Sequence, residues 1–359
     1  MNIGIILGTR PEIIKMSPII DQLIARKHDY FLIHTGQHYD YKMSEIFFRD
    51  LKLRKPDYQL MGYNDYAAIM DILKKEDPDI VLVQGDTDST VDGAVASKRA
   101  GYPLGHVEAG LRSFDMEMPE EVNRRMVDVA SDMLFCPTQT SFDNLLNEKV
   151  LGEKHIVGNT VVEACKRNLK LAEEKYTVAR GGDYAVCTIH RPENTDSKEK
   201  LTRIAKALID LNFPIVFSCH PRTKEALKKF NLYDLLDYSP FVQMYEPFGY
   251  FSFLSDLKRA KLVLTDSGGL QEEAITLGIP CVTIRNNTER PETISCGGNI
   301  LTGAHRNEIY WTAKRIWEDP IYRQRMVQAL NPYGGIGSRG IVNHLENYVR
   351  VKGYERGIF

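Results

Sequence analysis

No run in this sequence approaches the roughly 18 consecutive apolar residues that a membrane-spanning helix needs, so a membrane partner is not expected. No secretion signal is expected at the start either. Met1 leads straight into Asn-Ile-Gly-Ile-Ile-Leu, which is shorter than a signal's apolar region and has no basic stretch before it. No two of the six cysteines (Cys136, Cys165, Cys187, Cys219, Cys281 and Cys296) form a C-x-x-C pair, which leaves no redox or zinc-ribbon signature. Cys136, Cys187, Cys219 and Cys281 lie in or beside apolar strand-like runs, where cysteine behaves as a small buried hydrophobe. That usage fits a reducing, cytoplasmic setting. A basic excess is lacking as well: 46 Lys and Arg face 48 Asp and Glu, for a formal charge of -2. Nucleic-acid binding domains usually carry such an excess, so that partner is not expected. Any anion must be held by a few placed groups. No internal repeat or low-complexity segment is evident.

What is present is alternation. Short apolar runs (Ile3–Leu7, Tyr30–Thr35, Ile80–Gln84, Leu104–Glu108, Tyr184–Ile189, Ile215–Cys219, Leu262–Thr265 and Cys281–Ile284) are separated by amphipathic stretches such as Glu12–Arg26 and Lys198–Leu211. Fully apolar strands alternating with helices predict parallel sheets covered on both faces. The fold class is therefore α/β, doubly wound. The alternation breaks once, at 160–182, a polar helical stretch closed by Gly181-Gly182. With 359 residues and roughly 150 per domain, two domains are expected, 1–165 and 166–343. A terminal helix at 344–359 could return to the first.

In open α/β sheets, ligands sit outside the carboxyl ends of the strands, so the loops after the strands should carry the chemistry. The first is Gly8-Thr9-Arg10-Pro11-Glu12. Gly8 would permit a tight turn, and Arg10 stands at a helix N-terminus that already favours anions. Arg10 with Lys15 could bind a phosphate; an ordinary capping turn is the plainer alternative. The second is Gly85-Asp86-Thr87-Asp88-Ser89-Thr90. Asp88 or Ser89 is a candidate cap for the next helix, but Asp86 ends a buried strand and needs partners. In His106-Val107-Glu108-Ala109-Gly110-Leu111-Arg112-Ser113, Glu108 closes a strand in the same way, and Arg112 is its expected ion-pair partner. Pro119-Glu120-Glu121-Val122-Asn123-Arg124 is a good helix start; it would point a third acid, Glu120, the same way. Three converging carboxylates would raise one another's pKa values, which yields acid and base from one residue type.

The second half adds His190-Arg191-Pro192-Glu193-Asn194 and, one strand later, His220-Pro221-Arg222. A lone buried His is usually core. Two at strand ends, each within two residues of an Arg, predict diphosphate binding, with His190 able to move a proton. In Thr265-Asp266-Ser267-Gly268-Gly269-Leu270-Gln271-Glu272-Glu273, the segment Ser267-Gly268-Gly269 opens a helix and lets backbone N–H groups approach a phosphate. Glu273 could accept both hydroxyls of a ribose. Arg290, in Thr288-Glu289-Arg290-Pro291-Glu292, could face a nucleotide. His34 and His38 are four apart, but on a strand end and loop rather than on one helix face, so no metal is expected.

Taken in order, GTRPE with Lys15, GDTDST, HVEAGLRS, PEEVNR, HRPEN, DSGGLQEE and NNTERPE resemble the non-hydrolysing UDP-N-acetylglucosamine 2-epimerases from Met1 to about Asn343. The resemblance implies a glycosyltransferase-B-like fold, two Rossmann-like domains with an inter-domain cleft, and no metal or nicotinamide cofactor. It implies elimination of UDP across C1–C2 to a 2-acetamidoglucal and re-addition with a proton on the other face. By motif, Asp86, Glu108 and Glu120 resemble the catalytic carboxylates and His190 the histidine beside the diphosphate. Arg10, Ser267, Gly268 and Gly269 resemble phosphate contacts, Glu273 the ribose contact and Arg290 a nucleotide contact. Phe253 matches the position beside the uracil. Arg191 and His220 are kept, and so is Gln37, which matches the allosteric position of bacterial members. The segment Met61–Asp79 is shorter than the family's. A UDP-sugar substrate and a homodimer are expected. The alternatives are epimerisation of a modified sugar such as a UDP-diacetamido uronic acid, a retaining glycosyltransferase, and an inactive nucleotide-sugar sensor.

Overall fold

The structure, a computed structural model, describes residues 1–36, 47–61, 65–175, 181–335 and 337–355. Gln37 and His38 lie outside the described residues. The chain divides into two compact units. One comprises Met1–Ala164 with Tyr333–Phe359, the other Cys165–Pro332. The division therefore falls inside the helix Thr160–Lys175. The chain rejoins the first unit at Tyr333.

Among the described residues, the first unit carries seven parallel strands: β1 (Asn2–Leu7), β2 (Asp29–His34), β3 (Tyr58–Gln59), β4 (Ile80–Gln84), β5 (Leu104–Val107), β6 (Met133–Cys136) and β7 (Glu153–Ile156). Their order is β3-β2-β1-β4-β5-β6-β7. β1, β4 and β5 are almost wholly buried because Ile, Leu and Val on both faces are covered by helices. The helix Gly337–Glu355 packs on the helix Arg10–Ala25. Glu346 accepts from Arg26 at 2.9 Å and lies 2.8 Å from His28 Nε2.

The second unit carries β8 (Ala185–Thr188), β9 (Ile215–Ser218), β10 (Val242–Tyr245), β11 (Leu262–Thr265), β12 (Cys281–Thr283) and β13 (Asn299–Leu301), ordered β10-β9-β8-β11-β12-β13 and all parallel. Successive side chains of a strand point to opposite faces. Ala185, Cys187, Leu262 and Leu264 therefore enter one core, with Phe217 and Ile309. Tyr184, Val186 and Val263 enter another, with Leu254 and Ala274. Each fully buried Leu or Val contributes roughly 1.5–3 kcal/mol. Both units are doubly wound Rossmann-like sheets. In each, the strand order turns at one adjacent pair, β1 with β4 and β8 with β11, where the crossovers leave in opposite directions.

Candidate active site

The first unit's switch point gathers the loops after β1 and β4. Gly8 is not in a left-handed conformation. Its lack of a side chain is a packing requirement, because a Cβ there would collide with Ser89 Oγ and Thr35 Oγ1, which bond each other at 2.7 Å. Arg10 is the first residue of its helix and half-exposed. Thr9 is the cap residue, and Gly8 N and Thr9 N donate to Glu12 Oε2 at 2.5 and 2.7 Å. The other Glu12 oxygen accepts from the hydroxyls of Thr87 and Thr90, so one buried carboxylate ties the two loops together. Burial pushes its pKa up, and these four hydrogen bonds only partly offset the rise. The next helix is capped by Thr87, whose hydroxyl accepts from Thr90 N, and not by Asp88 or Ser89.

Asp86 follows Gly85, whose φ of +79° gives the turn. The Asp86 carboxylate pairs with Arg124, and Asn123 Nδ2 donates to the Asp86 carbonyl at 3.0 Å. Both partners come from the helix Pro119–Ala130. Glu108, at the end of β5, is held at φ +68°, a conformation that costs a non-glycine residue about 1–3 kcal/mol. Its buried carboxylate accepts from Lys15 Nζ at 2.6 and 2.8 Å, from Asn159 Nδ2 at 2.7 Å and from the Gln84 amide. The expected Glu108–Arg112 pair is not formed. Left-handed residues at 108 and 110 turn the chain, and Arg112 instead binds Asp128 and Glu148. Lys15 is correspondingly buried on Glu108 rather than open beside Arg10. Asp86 and Glu108 each have a cation, so the expected mutual crowding of acids is replaced by acid–cation pairs. Glu120 is half-buried in the first turn of its helix. Its neighbour Glu121 is fully buried and bonds Ser113 and Arg124. Burial raises the Glu121 pKa, but those bonds outweigh it and the net shift is downward.

The second unit's switch point gathers the loops after β8 and β11. Asp266 is buried, and its carboxylate accepts from His190 N, Arg191 N and Asn194 Nδ2 at 2.9–3.1 Å. It also lies 3.1 Å from His190 Nδ1. Burial raises the Asp266 pKa, yet His190 and the other donors more than compensate and hold it low. With Nδ1–H turned to Asp266, Nε2 of His190 is the ring nitrogen left for proton transfer. The sequence motif alone assigns Asp266 no role. The signal for one was a second carboxylate at a buried strand end. His220, one strand over, caps the helix Pro221–Lys229 through Nδ1, and its ring centroid lies 5.9 Å from that of His190. The guanidinium of Arg191 stands 3.9 Å from Glu289.

Ser267 caps the helix Gly268–Leu277 through its hydroxyl. A Cβ on Gly268 would meet Arg290 Nη1 at 2.6 Å and Glu289 Oε1 at 2.7 Å, whereas one on Gly269 would meet nothing within 4 Å. Space therefore remains over this N-terminus, whose N–H groups suit an anion. Arg290 is buried under Gly268, with Glu272 3.0 Å from its Nε and Glu289 2.5 Å from its Nη1. It backs the loop instead of standing open on it. Glu273 accepts from Tyr250 OH at 2.9 Å. Phe253, half-buried, packs against the core that Leu254 enters.

The family model for UDP-N-acetylglucosamine 2-epimerase matches residues 22–346. A UDP-N-acetylglucosamine 2-epimerase of Methanococcus maripaludis is 46% identical over 346 residues, covering 89% of this chain and 94% of its own. The UDP-2,3-diacetamido-2,3-dideoxy-D-glucuronate 2-epimerase of Pseudomonas aeruginosa is 41% identical over 330 residues, covering 88% and 92%. Among solved structures, the Methanocaldococcus jannaschii UDP-GlcNAc 2-epimerase in complex with UDP-GlcNAc and UDP gives a TM-score of 0.88 at 42% identity, over 97% of this chain and 100% of that one. The sequence motifs, the two Rossmann-like sheets and these likenesses agree, and the chain belongs to the UDP-N-acetylglucosamine 2-epimerase family.

Proposed function

We propose that this isomerase interconverts UDP-N-acetylglucosamine and UDP-N-acetylmannosamine. A base takes the C2 proton while the C1–O bond breaks, UDP leaves, and a C1=C2 double bond forms 2-acetamidoglucal. UDP then re-adds at C1 as a proton is delivered to the opposite face of C2. The C2 proton is weakly acidic, so the reaction needs a placed carboxylate and stabilisation of the departing diphosphate. Asp86, Glu108 and Glu120 are the proposed acid–base groups. His190, oriented by Asp266, is the proposed proton carrier at the diphosphate, with Arg191 and His220 beside it. Arg10, at the start of its helix, is a proposed phosphate contact, and Lys15 is proposed to serve the sugar site through its pair with Glu108. Ser267, Gly268 and Gly269 form the proposed phosphate cradle, Glu273 the ribose contact, and Phe253 and Arg290 the nucleotide end. The observation that carries this reading is the strained Glu108, placed beside Asp86 at adjacent strand ends, each with a buried cation.

Incubation with UDP-N-acetylglucosamine in deuterated water should place deuterium at C2 and yield a manno product. Asp86→Asn, Glu108→Gln and Glu120→Gln should each slow turnover by about 10²–10⁴-fold. Wild-type rates in all three would overturn the assignment. The 41% identical Pseudomonas enzyme favours one second reading, a UDP-diacetamido uronic acid as substrate. Faster turnover of that sugar than of UDP-N-acetylglucosamine would decide for it.

We also propose a homodimer. Val122, Met126 and Val129 form an exposed apolar stripe on the helix Pro119–Ala130, with Phe114 and Met116 exposed nearby. Such a stripe suits a partner face, and a single-chain mass by light scattering would overturn it. For the compartment we propose the cytoplasm. Five of the six cysteines are buried and none is disulfide-bonded. Among the described residues, no helix is long and apolar enough to cross a membrane.

A further inference from the structure

We propose that His106 is a positioning residue for Asp86 and that it works as an imidazolium, protonated on both ring nitrogens. The proposal rests on the reading that Asp86 reacts, but its first test does not. The His106 side chain is completely buried in β5. Its Nε2 lies 2.8 Å from the carbonyl oxygen of Gly85, the residue before Asp86. A carbonyl only accepts, so Nε2 carries a proton. Its Nδ1 lies 2.7 Å from Asp128 Oδ1. The Asp128 carboxylate already accepts from Arg112 Nη1 at 2.7 Å and from Gly110 N at 3.2 Å. A carboxylate with those two donors is an ionised acceptor, so the hydrogen in the Nδ1 contact belongs to the ring.

The charges around His106 point the same way. From Asp128 the chain of contacts runs to Arg112, which binds Glu148 at 2.6 Å. Glu148 meets Arg125 at 3.0 Å, and Arg125 meets Glu121 at 3.2 Å. Glu121 bonds Arg124 at 2.5 Å, and Arg124 pairs with Asp86. The circuit closes through the Gly85–Asp86 peptide back to His106. Traced through these contacts among the described residues, it holds four carboxylates (Asp86, Glu121, Asp128 and Glu148) and three guanidiniums (Arg112, Arg124 and Arg125). Glu121, Asp128 and Arg112 have no exposed side-chain surface. A neutral His106 would leave this largely buried circuit one negative charge in excess, an arrangement that low-dielectric surroundings penalise. An imidazolium balances it.

The circuit holds the Gly85–Asp86 segment at three points: the Gly85 carbonyl by His106, the Asp86 carbonyl by Asn123 and the Asp86 carboxylate by Arg124. Reacting groups must be held to within about 0.5 Å and 10–20°. Gly85, at φ +79°, is a flexible residue type that does not provide this alone. His106 supplies the fixed anchor immediately before the reacting side chain.

The first test is nitrogen NMR of histidine-labelled wild-type protein at pH 7. Both ring nitrogens of His106 should report as protonated; an unprotonated nitrogen on that ring would overturn the proposal. The second test is kinetic. His106→Gln keeps a donor toward Gly85 but removes the charge. Turnover should fall about 10–100-fold, the usual cost of losing a group that orients a reacting one, with KM within about threefold. Adding Asp128→Asn restores the charge balance of three acids to three guanidiniums, and the double variant should recover part of the loss. A purely packing role predicts the opposite, a double variant worse than either single. Asp86→Asn is assayed alongside. Wild-type turnover there would sink the reading of Asp86 itself. An inactive Asp86→Asn beside a fully active His106→Gln would sink the positioning role alone.

Discussion

Asp266 and His190 make the clearest case for a single side chain acting through another. Asp266 takes two backbone donors from the His190-Arg191 turn and faces the imidazole Nδ1. Asp266→Asn keeps the shape but can turn an N–H toward a ring nitrogen that also donates. Turnover is expected to fall at least about tenfold with little change in KM, because a second group that fixes a histidine tautomer governs its chemistry. A proportional rise in KM instead would assign Asp266 to binding. Glu12 makes the opposite electrostatic case. Its folded pKa is raised by burial, so its contribution to stability is full below the unfolded carboxylate pKa and is lost as pH rises through the folded value. Glu12→Gln removes that ionisation. Relative to wild type, its urea midpoint is therefore expected to improve between pH 4 and pH 8; a constant difference would refute this. At this scale the motifs were legible in the sequence while their pairings were not. Asp86, Glu108 and His190 stood out as polar residues ending apolar runs. The Lys15–Glu108 and Arg124–Asp86 pairs join residues 93 and 38 apart, and no spacing rule reaches that far.

The strands and helices show where pattern reading ends. All eight strands expected from apolar runs are present, to within one or two residues at their ends. Five strands fall outside those runs: the sheet edges β3, β7, β10 and β13, and the interior β6, which is apolar and buried. An edge strand is covered incompletely, so its sequence (Tyr-Gln, Glu-Lys-His-Ile, Val-Gln-Met-Tyr) keeps polar residues that blur the alternation. The Gly268–Gly269 pair at the start of its helix reads as one signal in sequence but has two physical meanings. Gly268→Ala forces a Cβ against Arg290 and Glu289 and should cost about 1–3 kcal/mol of stability. Gly269→Ala meets open space. Its melting temperature should hold or rise, since alanine is the better helix former by up to about 1 kcal/mol. Its KM for UDP-N-acetylglucosamine should rise several-fold if a phosphate sits there. Unchanged kinetics would empty that cradle.

For the molecule as a whole, the division into two units was legible as one break in the alternation. The return of the C-terminal segment was legible only as one option for 344–359, because a helix does not state in its own sequence which surface it covers. Ile341, Val342 and Leu345 are fully buried. Glu163 accepts from Ser338 N at 3.0 Å, and Gly158 at φ +86° has no room for a Cβ against the Tyr333 carbonyl. Ending the chain at Pro332 strips the fully buried Tyr333 together with these three aliphatic core side chains, the latter worth roughly 1.5–3 kcal/mol each, and is expected to lower the thermal transition of the first unit sharply. Calorimetry showing an unshifted profile would contradict this. The same arrangement sets a schedule for the nascent chain. The unit begun first lacks its closing segment until residues 333–359 leave the ribosome, while the unit begun second has all its residues earlier. Domains generally fold as units during synthesis, so the later-started unit is complete first, and the earlier one waits with a bare apolar face that chaperones can recognise.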